Sequence, residues 1–162
     1  VSIEVAGVFA VAAVAYLALV EPTGPYVVPV NFAYLPTPSG AAGPPEAGPN
    51  RQGRIVFHTG LGRKTAALDR DPRVCLAMVV DPAFQSGPGP CQDSFAYRSV
   101  LVWGRAERLR ERADRETALG AIVRKYDPAA AGKALDEAEL ARTLVYQVQI
   151  ESLSYKGRPG PG

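Results

Sequence analysis

RIVFHTGLGRKTAALDRDPRVCLAMVV, residues 54–80, changes its pattern twice within one short stretch. Arg54 to Thr59 is rich in β-branched and aromatic side chains and reads as a strand. Gly60 and Gly62 interrupt it, and Lys64 to Arg70 follows as a short helix. Asp71-Pro72 closes that helix, because proline cannot donate the next helical hydrogen bond. Arg73 to Val80 is then a compact apolar run of strand length.

The flanking segments repeat the strand theme. Upstream, residues 3 to 14 are small and apolar, consistent with a buried helix, and 16–20 reads as a strand. Glu21-Pro22-Thr23-Gly24 has turn chemistry, and Tyr26 to Tyr34 resumes as a strand. Pro29 within it points to a sheet edge or bulge, since proline gives the ladder no donor. Downstream, a long strand is expected from Phe95 to about Arg110. Asp114 is the expected cap of a helix whose Leu119, Ile122, Val123 and Tyr126 share one face. Asp127-Pro128 ends that helix, and Asp136 with Glu139 suggests a capping box. Leu144, Tyr146, Val148 and Ile150 alternate with Val145, Gln147, Gln149 and Glu151 as a half-buried last strand. Six strands with few helices between them predict a mainly β chain, an antiparallel barrel with peripheral helices.

The expected organisation is one domain over residues 1–156 with two excursions. Residues 36–53 are half Gly or Pro and hold no large apolar side chain, which predicts a mobile insertion. Residues 81–94 read as a second loop, and 157–162 as a loose tail. The chain has 162 residues, 47% of them apolar, enough for a single core. A net charge of +2 gives no field that argues for nucleic acid. No charge falls between Glu4 and Glu21, but that run is short of the ~20 residues a bilayer span needs, and no basic segment precedes it. No membrane role is expected. The sequence opens on Val1 rather than methionine, so residues upstream of it are expected to be missing. Cys75 reads as a small core residue and Cys91 as a loop thiol, a usage that suits a reduced, cytoplasmic protein. With His58 as the only histidine, no metal site is expected.

The chemistry concentrates in Phe57 to Thr65. A strand runs into two glycines and then two cations at the start of a helix. Cations are disfavoured there, because a helix N-terminus already carries partial positive charge. Arg63 and Lys64 make sense at that end if an anion sits among them. Free amides, the Thr59 hydroxyl, a guanidinium and an ammonium could together hold a phosphate; a solvated basic pair on a surface turn is the plain alternative. Two better-known phosphate motifs fail. Gly60-x-Gly62 lacks the third glycine of a dinucleotide fingerprint, and Arg63 interrupts the Gly-Lys-Thr of a P-loop.

Three blocks in order carry a resemblance. FHTGLGRKTAALDRDPRVCLAMVV resembles the flavin-phosphate segment of the pyridoxamine-phosphate-oxidase-like proteins. PYVVPVNFAY is similar to the strand along the isoalloxazine ring in Nim-type nitroimidazole reductases. Cys91, then Tyr97-Arg98-Ser99-Val100 and Gly104-Arg105-Ala106, resembles a later strand of the same proteins. The resemblance implies a six-stranded antiparallel split barrel, a homodimer, and FMN in a cleft between subunits. By position, Arg63 and Lys64 would hold the cofactor phosphate with Thr59 in support. Val30 and Asn31 would face the flavin ring, Ser99 its polar edge, and His58 would lie beside it as the candidate catalytic imidazole. Trp103 would lie in the barrel core or at the dimer interface. The implied activity is an FMN-dependent oxidoreductase, with NAD(P)H as electron donor and a small aromatic, nitro-aromatic or quinone-like acceptor. Deazaflavin in the same fold and a non-enzymatic flavin carrier are the alternatives, with haem binding disfavoured by the single histidine. The ending ESLSYKGRPGPG has nothing like the substrate-phosphate residues of pyridoxamine phosphate oxidases proper, and the 36–53 insertion replaces a tight turn.

Overall fold

The structure is a computed structural model and describes residues 1–37 and 52–158. Its described elements run α1 (Ile3–Val11), β1 (Ala15–Glu21), β2 (Gly24–Val30), β3 (Phe32–Leu35), β4 (Arg54–Thr59), α2 (Arg63–Arg70), β5 (Arg73–Gln85), β6 (Ser94–Arg108), α3 (Arg112–Tyr126), α4 (Glu137–Arg142) and β7 (Leu144–Arg158). All strand pairs are antiparallel, in the order β2-β1-β5-β6-β7-β4-β3.

That order explains why there are seven strands and not the expected six. The run Tyr26–Tyr34 is divided at Asn31. Val30 still pairs with Ala15 of β1, whereas Phe32 already pairs with Phe57 of β4. One residue thus carries the chain from one edge of the sheet to the other. Two edges joined by a single residue must lie close together, so the sheet curls on itself without closing, as a split barrel does. Pro29 stands on the edge strand β2, where its missing donor costs nothing.

Alternation fills the barrel. Ala15, Leu17 and Leu19 point inward while Tyr16 and Val20 stay exposed. Phe32, Phe57, Leu76, Met78, Val100 and Val102 are fully buried, and Val8 and Phe9 of α1 join that cluster. Each such side chain contributes roughly 1.5–3 kcal/mol relative to exposure. The Phe57 and Tyr146 rings, cross-strand partners, stack at 5.4 Å. A second cluster forms where α3 covers the outer face of β4 and β7, so Val56 and Val145 are buried outward. This is why β7, expected to be half-buried, is buried on both faces from Leu144 to Val148.

Several expectations shift. The cap of α3 is Glu111, and Asp114 lies in the first turn, where a carboxylate still suits the helix dipole. The buried face of α3 is Ala118, Ala121 and Ile122, because alanines let the helix approach closely. Leu119 and Val123 are only half-buried and Tyr126 is exposed. Tyr126 acts through its hydroxyl, which receives the Phe32 amide at 3.1 Å and donates to the Ala13 carbonyl at 2.8 Å. Lys125 beside it donates to the Phe9 carbonyl at 3.0 Å, and burial pulls its pKa down to about 8. Of the capping box before α4, the Asp136 half is present: its carboxylate accepts from Glu139 N at 2.9 Å.

The loop expected at 81–94 is mostly hairpin. β5 continues to Gln85 through an irregularity after Val80, where Asp81 adopts a positive φ of 53°. Phe84 and Phe95 meet edge-on at 5.5 Å across the extension. The tail also begins later than expected, since Gly157 and Arg158 pair with Arg98 and Tyr97. Residues 159–162 lie outside the described residues. So does the insertion between Thr37 and Gln52, apart from its ends, where the Tyr34 hydroxyl donates to the Gln52 carbonyl at 3.0 Å. Cys75 is not in the core: it is half-exposed on the outer face, paired with Trp103, itself 41% exposed and so outside the barrel core as well. Among the described residues no helix is long and apolar enough to cross a membrane, and no cluster of potential metal ligands occurs.

Candidate functional site

The β4–α2 turn puts Gly60, Leu61, Gly62 and Arg63 on the surface. Gly62 caps α2, and the first helical hydrogen bond is Ala66 N to Gly62 O at 3.1 Å. The amides of Arg63, Lys64 and Thr65 therefore precede the helical ladder and face outward from its N-terminus. Thr65 is buried and braces the turn: its hydroxyl receives the Gly62 amide at 3.1 Å and donates to the Gly62 carbonyl at 2.8 Å. A side chain added at Gly60 or Gly62 would meet nothing within 4 Å, so open space lies over the glycines. Three amides, two cations and that space fit a phosphate.

The expected residues are not all alike in their setting. Lys64 is half-buried, and burial lowers its pKa; no carboxylate among the described residues pairs with it. Arg63 is not free. Glu21, at the end of β1, accepts from its Nε at 2.9 Å and its Nη2 at 2.6 Å, and the guanidinium lies 4.4 Å from the Tyr26 ring centre. Sequence reasoning gave Glu21 only a turn role. The signal for more is nonlocal, since the partners are 42 positions apart. Thr59 turns its hydroxyl to the Gly60 carbonyl at 3.1 Å. Asn31 directly precedes Phe32, and His58 and Thr59 directly follow its partner Phe57, so these three lie at the same end of the β3–β4 pair, while Val30 still pairs with Ala15 of β1. Asn31 is exposed and Val30 buried. Ser99 stands apart, half-buried on the outer face of β6 between Val79 and Lys156.

His58 has an exposed ring, yet neighbouring atoms strip part of its hydration and Lys64 adds positive charge; both lower its pKa below the ordinary 6.5. It is neutral at pH 7. Because the unfolded chain binds this proton more readily, the stability tied to neutral His58 is complete above pH 6.5. It is lost as pH falls through 6.5 towards the lower folded value. The melting temperature of wild type should therefore drop more steeply than that of His58→Gln between about pH 6.5 and 5. Parallel melting curves across that window would remove the effect.

The family model described as pyridoxamine 5'-phosphate oxidase matches residues 4–157. The chain belongs to that family. Solved structures share the fold at low identity. A FAD and heme binding protein from Mycobacterium smegmatis superposes with a TM-score of 0.79 at 22% identity, covering 98% of this chain and 72% of its own. A flavocytochrome from Azotobacter vinelandii gives 0.76 at 22% identity, with 98% and 67% covered. A protein described as a 5-nitroimidazole antibiotic resistance protein from Bacteroides thetaiotaomicron gives 0.73 at 19%, with 94% and 81% covered. No curated protein matches the chain. The likeness to these solved structures shows a shared split-barrel fold.

Proposed function

We propose that the protein is an FMN-dependent oxidoreductase that passes electrons from a nicotinamide donor to a small aromatic, nitro-aromatic or quinone-like acceptor. The observation that carries the reading is the pair Arg63 and Lys64 beside three outward amides on an open glycine turn. Hydride and electron transfer are chemistry that a bound flavin supplies, so the chain's task is to bind, orient and exclude water. Lys64 and the α2 amides hold the phosphate end, and Val30 and Asn31 offer backbone and amide groups to the ring. Ser99, apart from the turn on the outer face of β6, would meet the polar edge of the ring only across the dimer interface, and Thr59 supports the turn. His58, neutral at pH 7, is the imidazole placed to accept a proton. FMN is preferred to deazaflavin on the resemblance alone, and FAD enters as a rival because two fold neighbours are described as FAD/heme or flavocytochrome proteins.

Releasing the cofactor by denaturation and weighing it decides among FMN, FAD and deazaflavin. Anaerobic mixing with NADH or NADPH should then bleach the bound flavin, and a nitro-aromatic or quinone should restore its colour. A flavin that no nicotinamide bleaches would leave a carrier in place of an enzyme.

The functional unit in this proposal is a homodimer with the cofactor at the interface. Tyr16, Val27, Val79 and Trp103 project from neighbouring strands of the outer face and are 41–57% exposed, an apolar patch that a second copy would cover. Light scattering should give a dimer, and flavin affinity should fall on dilution to monomer. A monomer that retains stoichiometric flavin would refute the shared site.

A further inference from the structure

Glu21 places a carboxylate beside a turn whose other groups all favour anions. It ends β1, and its side chain is only 10% exposed while that of Arg63 is 65% exposed. Its two oxygens take Nε at 2.9 and 3.1 Å and Nη2 at 2.6 Å, which fills the inner fork of the guanidinium. The Tyr26 ring centre lies 4.4 Å from the guanidinium carbon, and the outer edge, Nη1 with the second hydrogen of Nη2, is left to a ligand. The Arg63 interaction also holds the Glu21 carboxyl below the usual range, so it stays ionised at neutral pH. Arg63 and Lys64 supply two positive charges, Glu21 removes one, and His58 adds none. A phosphomonoester carries about −1.5 to −2 at pH 7, whereas each phosphate of a diester or pyrophosphate linkage carries about one charge.

We propose that Glu21 is the charge-selectivity residue of this anion site, disfavouring a dianionic phosphomonoester relative to a singly charged phosphate group. The proposal rests on Arg63 and Lys64 forming the FMN phosphate site of the reading above; Glu21 holds the FMN affinity of that site below what its two cations alone would give. Two effects act together. The carboxylate occupies one of the two forks by which the guanidinium could grip two phosphate oxygens, and its own charge repels a ligand in proportion to the ligand's charge. Tyr26 and the remaining amide oxygen keep Arg63 in place in Glu21→Gln, so the substitution removes the charge and loosens the clasp without losing the side chain's position.

The experiment measures flavin-fluorescence titrations of FMN, FAD and riboflavin on flavin-stripped wild type, Glu21→Gln, Glu21→Asp and Lys64→Ala. Glu21→Gln should tighten FMN by about tenfold and FAD by about threefold, leaving riboflavin unchanged. Glu21→Asp keeps the charge and should stay near wild type. Unchanged riboflavin affinity doubles as the check that the variant is folded, and Glu21→Ser repeats the test should Glu21→Gln fail to fold. If FMN is unchanged or weaker in Glu21→Gln while Lys64→Ala lowers the FMN-to-riboflavin ratio, the Glu21 assignment alone is overturned. If Lys64→Ala leaves that ratio unchanged, the phosphate site itself falls and the Glu21 assignment falls with it.

Discussion

Replacing Arg63 and Lys64 together by alanine is expected to weaken FMN by about a hundredfold or more, while riboflavin changes only a few fold. Each hydrogen bond to a charged group typically contributes about 1.5–3 kcal/mol, which is roughly tenfold or more per cation. Lys64 has no competing carboxylate among the described residues, so Lys64→Ala forfeits its full share. Arg63→Ala loses a donor and also leaves Glu21 without its cation at 2.6 Å. The unscreened carboxylate then repels the phosphate, which keeps the Arg63 effect at tenfold or above despite the clasp. Arg63 is largely exposed and Lys64 only half-buried, so neither belongs to the core, and the lost surface ion pair with Glu21 contributes little to stability. The double variant should therefore melt near wild type, and equal weakening of FMN and riboflavin would sink the assignment.

The parts of this molecule that were legible in the sequence are those whose signal is local. Alternation in Leu144–Ile150 and the Asp71-Pro72 stop mark their elements directly, and Pro29 marks an edge. Likewise, Arg63-Lys64 at a helix start is an anomaly of local electrostatics. What stayed hidden depends on partners far along the chain. Nothing in VVPVNFAY shows that the ladder changes partner at Asn31, because both halves have the same strand chemistry. The spacing of Leu119, Ile122, Val123 and Tyr126 points to one face of α3, whereas Ala118 and Ala121, too small to carry a strong hydropathy signal, make the close contact with Ile122. β7 runs on to Arg158 because β6 is long enough to pair with it, although Ser154 to Arg158 looks like a tail. Glu21 could not be linked to Arg63 without the hairpin that swings β1 towards α2.

Gly104 is the position where one methyl group should do the most damage. β6 and β7 slip by one residue there: Trp103 pairs with Ser152 but Gly104 with Ile150, leaving Glu151 of β7 without an opposite partner. The bulge bends β7 over β6, and a Cβ at Gly104 would lie 2.0 Å from the Gln149 carbonyl oxygen and 2.9 Å from Val148 Cγ1. The first of these is backbone, fixed on both sides by strand pairing, so it cannot swing aside as a side-chain tip would. Overpacking a core typically costs about 1–3 kcal/mol when side chains can adjust, and a backbone collision should reach the top of that range or beyond. Gly104→Ala should therefore lose about 3 kcal/mol or more, a fall in Tm on the order of 10 °C for a chain of this length. The same change at Gly60 meets nothing within 4 Å and should alter Tm by no more than about 2 °C. A Gly104→Ala variant as stable as Gly60→Ala would mean that β7 does not press on β6 as the register requires.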